Sequence, residues 1–298
     1  MKKCIFCNRT EADFKGDNCW TEEHIIPKAL GNNSLKLSNV CKECNSRLGT
    51  NVDNYFVNHI LVKIIRQNLK LPGQSGEIPN AFAEGKDEKG NIIRLDKDYH
   101  PTIVPTLKTI GNEVRGVAGT KKEAKQMVRK KLSRMKIPEE VIQEKLSKID
   151  EIKSQYYQPK VSYDITVELN RFFMEALKIA YEYTIYKIGY DYLKDSRAME
   201  IQQYLKTAKD GEMKNKCDEC YGVSFLHKEI KNILQNTNDL NIHMLMLHPD
   251  YDKKLIAEII LFMNPMLSFS VLVSKDADKY RNLKYPLTEI VEIEIKGN

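Results

Sequence analysis

The sequence predicts an α+β protein, with a small metal-supported N-terminal module ahead of a larger mixed domain that has a long central helix and C-terminal antiparallel strands. Three observations lead there. Residues 1 to about 54 are dense in Cys, Asn and Gly and poor in aliphatic side chains. Asn170 to Leu193 carries apolar residues around most of a helical surface. Residues 243–273 then return to short β-like runs separated by turn signals.

Length and composition set the frame. The 298 residues suffice for two domains, and 42% hydrophobic with 30% charged residues fits a folded chain. No apolar run approaches the roughly 20 residues that span a bilayer. Met1-Lys2-Lys3-Cys4 has the positive start of a signal peptide but no apolar stretch after it, so a cytoplasmic location without membrane partners is expected. The cysteines agree. Cys4/Cys7, Cys41/Cys44 and Cys217/Cys220 form Cys-x-x-Cys pairs and Cys19 stands alone. In a reducing compartment such pairs read as metal ligands before disulfides.

The elements follow in order. Residues 55–71 have helical apolar spacing, and Leu71-Pro72-Gly73-Gln74-Ser75-Gly76 breaks the pattern. The expected division is therefore a module at 1–54, a connecting helix and linker at 55–76, and a domain at 77–298 for target recognition, ligand sensing or assembly. Short strands are expected at 91–95 and 102–104, helices at 121–136 and 139–153 on either side of Pro138, and a strand at 161–167. Between Lys121 and Lys136 eight basic residues face one acid, Glu123, so this stretch outweighs the whole net charge of +6. Lys121, Lys125 and Arg129 fall on one helical face and are candidates for a phosphate backbone. The same helix reads equally as a solvated amphipathic one resting on Ala124, Met127, Val128 and Leu132. Tyr181, Tyr183, Tyr186, Tyr190 and Tyr192 read as core and rim residues of the long helix rather than a base-stacking platform. Cys217 and Cys220, with irregular intervals to His227, His243 and His248, read as ordinary thiols rather than a second zinc site.

The first four cysteines are different. Two Cys-x-x-Cys turns, 33 residues apart, can each supply half of a tetrahedral Zn2+ site, and a module this small needs the folding energy. Taken alone they would suit a structural or nucleic-acid-binding zinc module. Inside the gap, however, stand Glu23-His24-Ile25-Ile26-Pro27 and then Asn39-Val40-Cys41-Lys42-Glu43-Cys44-Asn45. In this order, residues 4–54 resemble the HNH endonuclease family, in the subgroup with a four-cysteine zinc site.

The resemblance implies a ββα-metal fold, a β-hairpin and a helix around one catalytic divalent metal. It makes His24 the general base and Glu23 a metal ligand where many members have Asp. Asn39 orients His24, and Asn45 is the second ligand where many members have His. It also implies a DNA substrate, with RNA a further candidate, and a place in a defence or mobile-element system. A lone site of this kind cuts one strand per event, so a double-strand break implies a homodimer or two visits. Lys28 and Arg47, close in sequence to the site, are candidate phosphate contacts.

The residue types suit this chemistry independently. An imidazole is fit to deprotonate water near neutral pH, and a cation must neutralise the phosphate and the departing oxygen. The oxygen donors of Glu23 and Asn45 favour Mg2+ or Mn2+ over a second zinc. Adjacent strand residues point to opposite faces, so a bulge or strand end is expected at Glu23-His24. Gly49 is placed to end the helix that carries Asn45. The alternative is a zinc-stabilised nucleic-acid-binding module that does not cut.

Overall fold

The computed structural model describes residues 2–14, 19–96, 98–110, 113–154, 158–208, 221–226 and 241–294. Cys217, Cys220 and His227 lie outside the described residues. The chain forms two compact units, one of Met1–Pro79 with Val167–Asn298 and one of Asn80–Thr166.

In the first unit, β1 (Trp20–His24) and β2 (Lys36–Cys41) form an antiparallel hairpin, and β2 runs straight into α1 (Lys42–Leu48). Gly49 does not end that helix, contrary to expectation. It adopts φ −55° and ψ −40°, and a π-helical turn over Gly49–Asp53 leads on into α2 (Asn54–Asn58). Glycine stops a helix by turning left-handed; here Leu48 and Val52, buried on either side, hold the right-handed path. The helix expected over 55–71 is also split. His59 is extended (φ −65°, ψ 142°), its ring accepts the Leu61 amide, and α3 (Ile60–Asn68) starts afresh. The same ring packs edge-on against Phe172 at 4.9 Å, so His59 is a packing residue.

The second unit holds β3 (Gly85–Lys86), β4 (Ile92–Leu95) and β5 (Pro101–Ile103) in one antiparallel sheet. A hairpin of β6 (Thr106–Ile110) and β7 (Glu113–Val117) comes next, then α4 (Lys121–Arg134) and α5 (Glu139–Glu151). Residues 161–167 do not form the expected strand. Two-residue β3 offers only Lys86 as a bridge partner for Ser162, and Tyr163 turns to the Phe82 carbonyl. Thr120 and Glu123 close a capping box at the start of α4. Ala124, Val128 and Leu132 rest on Ile142, Leu146 and Ile149 of α5.

The first unit resumes with α6 (Leu169–Ile188), α7 (Ser196–Thr207), β8 (Val223–Phe225), β9 (Ile242–Pro249), β10 (Leu255–Ile260), β11 (Ser268–Ser274) and β12 (Leu287–Glu292). The sheet order β12-β9-β10-β11-β8 is antiparallel throughout. Every residue of α6 from Arg171 to Ile185 is buried. One side lies on the sheet, where Tyr183 donates to the carbonyls of Leu245 and Leu287 and Phe173 meets Phe269 and Phe225. The other side lies on the N-terminal hairpin region, where Phe172 packs on Phe56 at 5.0 Å and Tyr181 on Phe6 at 5.5 Å.

One continuous core therefore joins Ile5, Ile25, Val40 and Leu48 to the C-terminal helix and sheet. The divisions expected at 54 and 76 do not coincide with the compact units, whose boundaries fall after Pro79 and after Thr166. The physical reason is size: some fifty residues lack the apolar surface to close a core, and α6 supplies the missing wall. Gly31 marks how close this packing is. Its φ of +95° suits glycine, and a Cβ there would run into Ile293.

Candidate active site and metal centre

Cys4 and Cys7 sit in a tight turn, with the Cys4 amide bonded to the Arg9 carbonyl and the Asn8 amide to the Cys4 carbonyl. Cys41 ends β2 and Cys44 lies in the first turn of α1. The four sulfurs come within 4.8 Å of one another, and Cys7 and Cys41 are 3.8 Å apart. A tetrahedron with Zn–S bonds of about 2.3 Å has edges of about 3.8 Å, so the donor set fits Zn2+ in chemistry and spacing. Crowding couples the thiols. The hydrogen bond from Cys44, helped by backbone amides, pulls Cys4 down to about 4, while burial pushes Cys41 up to about 11. Arg9, which sequence reasoning missed, donates to Cys7 Sγ at 3.3 Å and pairs with Glu43 at 2.5 Å, tying the turn to α1. The Ile5 amide donates to the Asn39 carbonyl, tying it to β2.

The β1–β2 register slips between Thr21 and Glu23, and β1 ends at His24. The expected irregularity is there, and the two side chains diverge. Glu23 turns inward, with 5% of its surface exposed, whereas His24 is half-buried. Burial, with the positive charges of Lys36 and Lys28, holds His24 below the ordinary imidazole range. Its Nε2 is buried and has no hydrogen-bond partner. Asn39 is buried, its Oδ1 has no partner either, and no hydrogen bond joins it to His24. Asn45 donates through Nδ2 to the Glu22 carbonyl at 3.2 Å, which fixes α1 against the end of β1 and leaves its amide oxygen unengaged.

Lys178 of α6 meets Glu23 Oε1 at 2.6 Å and Asp53 at 2.9 Å. Its side chain is fully buried. One turn to either side of it, Glu175 and Glu182 are also fully buried; Glu175 lies against Asp53, and the carboxyl oxygens of Glu182 have no hydrogen-bond partner. Burial raises both carboxyls well above their ordinary range. Burial alone would push the Lys178 ammonium down, but the surrounding carboxyls, Asp53 first, more than offset it. Sequence reasoning missed this seam. Its signal was legible: Glu175, Lys178 and Glu182 are spaced to share one face of a helix that is apolar on most of its surface.

The remaining candidates separate cleanly. Lys28 is exposed. Arg47 is engaged by the Leu205 carbonyl at 2.7 Å. Lys121 and Lys125 reach the Asp150 carbonyl and carboxylate at 2.6 Å, and Arg129 pairs with Glu139 at 2.8 Å. That face of α4 therefore meets α5, while Lys122, Lys130 and Arg134 are exposed. His243 lies in the core between the Leu30 carbonyl and the Phe262 amide, and burial pushes it down to about 4. His248 pairs with Glu258.

Residues 4–61 match the model of a family described as HNH endonuclease. The zinc-type cysteine cluster, the hairpin and the following helix all lie within that match. This region is an HNH endonuclease module, which supports a nuclease or nucleic-acid-related function. No curated protein and no solved structure matches the chain. Among the described residues no helix is long and apolar enough to cross a membrane.

Proposed function

We propose that the protein is a metal-dependent endonuclease that hydrolyses phosphodiester bonds in DNA, with His24 as general base. The observation that carries this reading is the His24 Nε2, buried and unpartnered at the end of β1, inside the module that matches the HNH family. A lowered pKa keeps the ring neutral near pH 7, and with its remaining proton on Nδ1 the Nε2 can accept the proton of an attacking water. Glu23, through the oxygen not held by Lys178, and Asn45, through its free amide oxygen, would hold Mg2+ or Mn2+. Bound there, the cation would neutralise charge on the scissile phosphate and the leaving oxygen. Asn39 backs the hairpin through its hold on the zinc turn. Lys28 and the exposed Lys122, Lys130 and Arg134 of α4 are the candidates for backbone phosphates.

The test is nicking of supercoiled plasmid by wild-type and His24→Ala protein with Mg2+, with Mn2+ and with chelator. We expect metal-dependent nicking that falls about 10²- to 10⁴-fold in the variant, while zinc content is unchanged. Because the His24 pKa is lowered, the rate should fall on the acid side only below the ordinary imidazole range. A variant that keeps its zinc and nicks as fast as wild type overturns the assignment. One observation favours a binding module that does not cut: the Glu23 carboxylate is already engaged by Lys178. Binding of DNA without cleavage of duplex, single-stranded DNA or RNA in any metal would establish that reading.

A further inference from the structure

The contact between α6 and the hairpin joins a fixed positive charge to the proposed metal ligand. Lys178 Nζ lies 2.6 Å from Glu23 and 2.9 Å from Asp53, and the ammonium is shut off from water. A purely structural seam would serve as well with an apolar side chain, because a buried ion pair seldom stabilises more than well-packed apolar residues of the same volume. An ammonium beside a metal-binding carboxylate has a sharper consequence. In a low-dielectric setting it repels any further cation approaching that carboxylate.

We propose that Lys178 is a built-in competitor of the catalytic metal. It acts through Glu23, as a positioning and charge-setting residue, and rests on the reading of Glu23 as a metal ligand. In the metal-free chain its ammonium serves as counter-ion to Glu23 and Asp53, so the hairpin keeps its shape without a divalent ion. The same charge holds divalent-metal affinity low until a substrate phosphate brings further negative charge to the site. Metal and nucleic acid then bind with mutual help, and Asp53 tunes the balance by sharing the ammonium with Glu23.

The two partners of this contact predict opposite shifts. Removing the ammonium leaves Glu23 and Asp53 without their counter-ion, beside Glu175 and Glu182, and should draw a divalent cation in. Removing the Asp53 charge leaves Lys178 to Glu23 alone and should keep the cation out. The experiment is Mn2+ binding to the zinc-loaded full chain without DNA, read from the electron paramagnetic resonance signal of free Mn2+. We expect Lys178→Met to bind Mn2+ about tenfold or more tightly than wild type, and Asp53→Asn to bind it about tenfold more weakly. Lys178→Arg, which keeps the charge, should stay near wild type. A purely structural role would lower the melting temperature of Lys178→Met without tightening Mn2+ binding. Glu23→Gln separates the two readings. If it weakens Mn2+ binding while Lys178→Met and Asp53→Asn leave it unchanged, the competitor role is overturned and the metal-ligand reading survives. If Glu23→Gln binds as wild type does, both fall. Should Lys178→Met fail to fold, Asp53→Asn decides: a melting temperature near wild type with unweakened Mn2+ binding overturns the proposal.

Discussion

The hairpin module and the α4–α5 pair are both too small to close a large core of their own, and they are held in different ways. The hairpin is braced from a distance. Four cysteines gather at its base, Tyr181 donates to the Ile5 carbonyl at 2.5 Å, and Lys178 reaches Glu23 across 155 positions of sequence. The α4–α5 pair is local. Ile142, Leu146 and Ile149 form its buried cluster, and its ion pairs join residues close in sequence at the surface. A reacting group needs a fixed position, and bracing from several directions supplies it. Surface helices need only stay associated.

This contrast can be broken at the zinc site first. Cys4→Ser or Cys44→Ser should lose the metal and cost several kcal/mol or more, on the order of the apparent binding energy of a structural zinc. The readouts are zinc content and melting. His24→Ala should melt close to wild type, since the ring makes no hydrogen bond through its buried Nε2. Equal melting of the cysteine and histidine variants would remove the distinction between structural metal and catalytic base.

A middle-sized effect belongs to the helix pair. Leu146→Ala should cost about 2–4 kcal/mol, because it empties a three-residue cluster that can partly collapse. Hydrogen exchange should quicken across α4 and α5 while zinc stays bound. Exchange that also quickens in the hairpin would show that the two regions share their stability. Smallest is Arg129→Gln. Its pair with Glu139 is about half exposed on both sides, so it should cost less than about 1 kcal/mol. Plasmid binding should hardly change, whereas Lys122→Gln with Lys130→Gln and Arg134→Gln should weaken it and lower its salt dependence by up to about three charges. The reverse ranking would return the phosphate contact to the α5-facing side.

The elements most legible in the sequence were those set by local rules. The pairs Cys4/Cys7 and Cys41/Cys44, the strand end at Glu23-His24 and the helices beside Pro138 follow from spacing, turn chemistry and apolar period, and the structure has them. The elements missed were set by neighbours. The continuation of the helix through Gly49, the break at His59 and the absent strand at 161–167 each depend on what lies alongside.

The same division runs through the site. The sequence alone determined which residue types are available: four soft sulfur donors, an acid next to an imidazole, and an amide on the following helix. Their order in the chain carries that information, because ligand chemistry and short-range spacing are local properties. Only the tertiary structure decided that Glu23 faces a buried lysine, that Asp53 shares it, and that the cations of α4 divide into a paired face and a free one. Such partners are separated by tens to more than a hundred residues. Charge pairing in a protein interior is set by burial and distance, and neither is written in any one stretch of sequence.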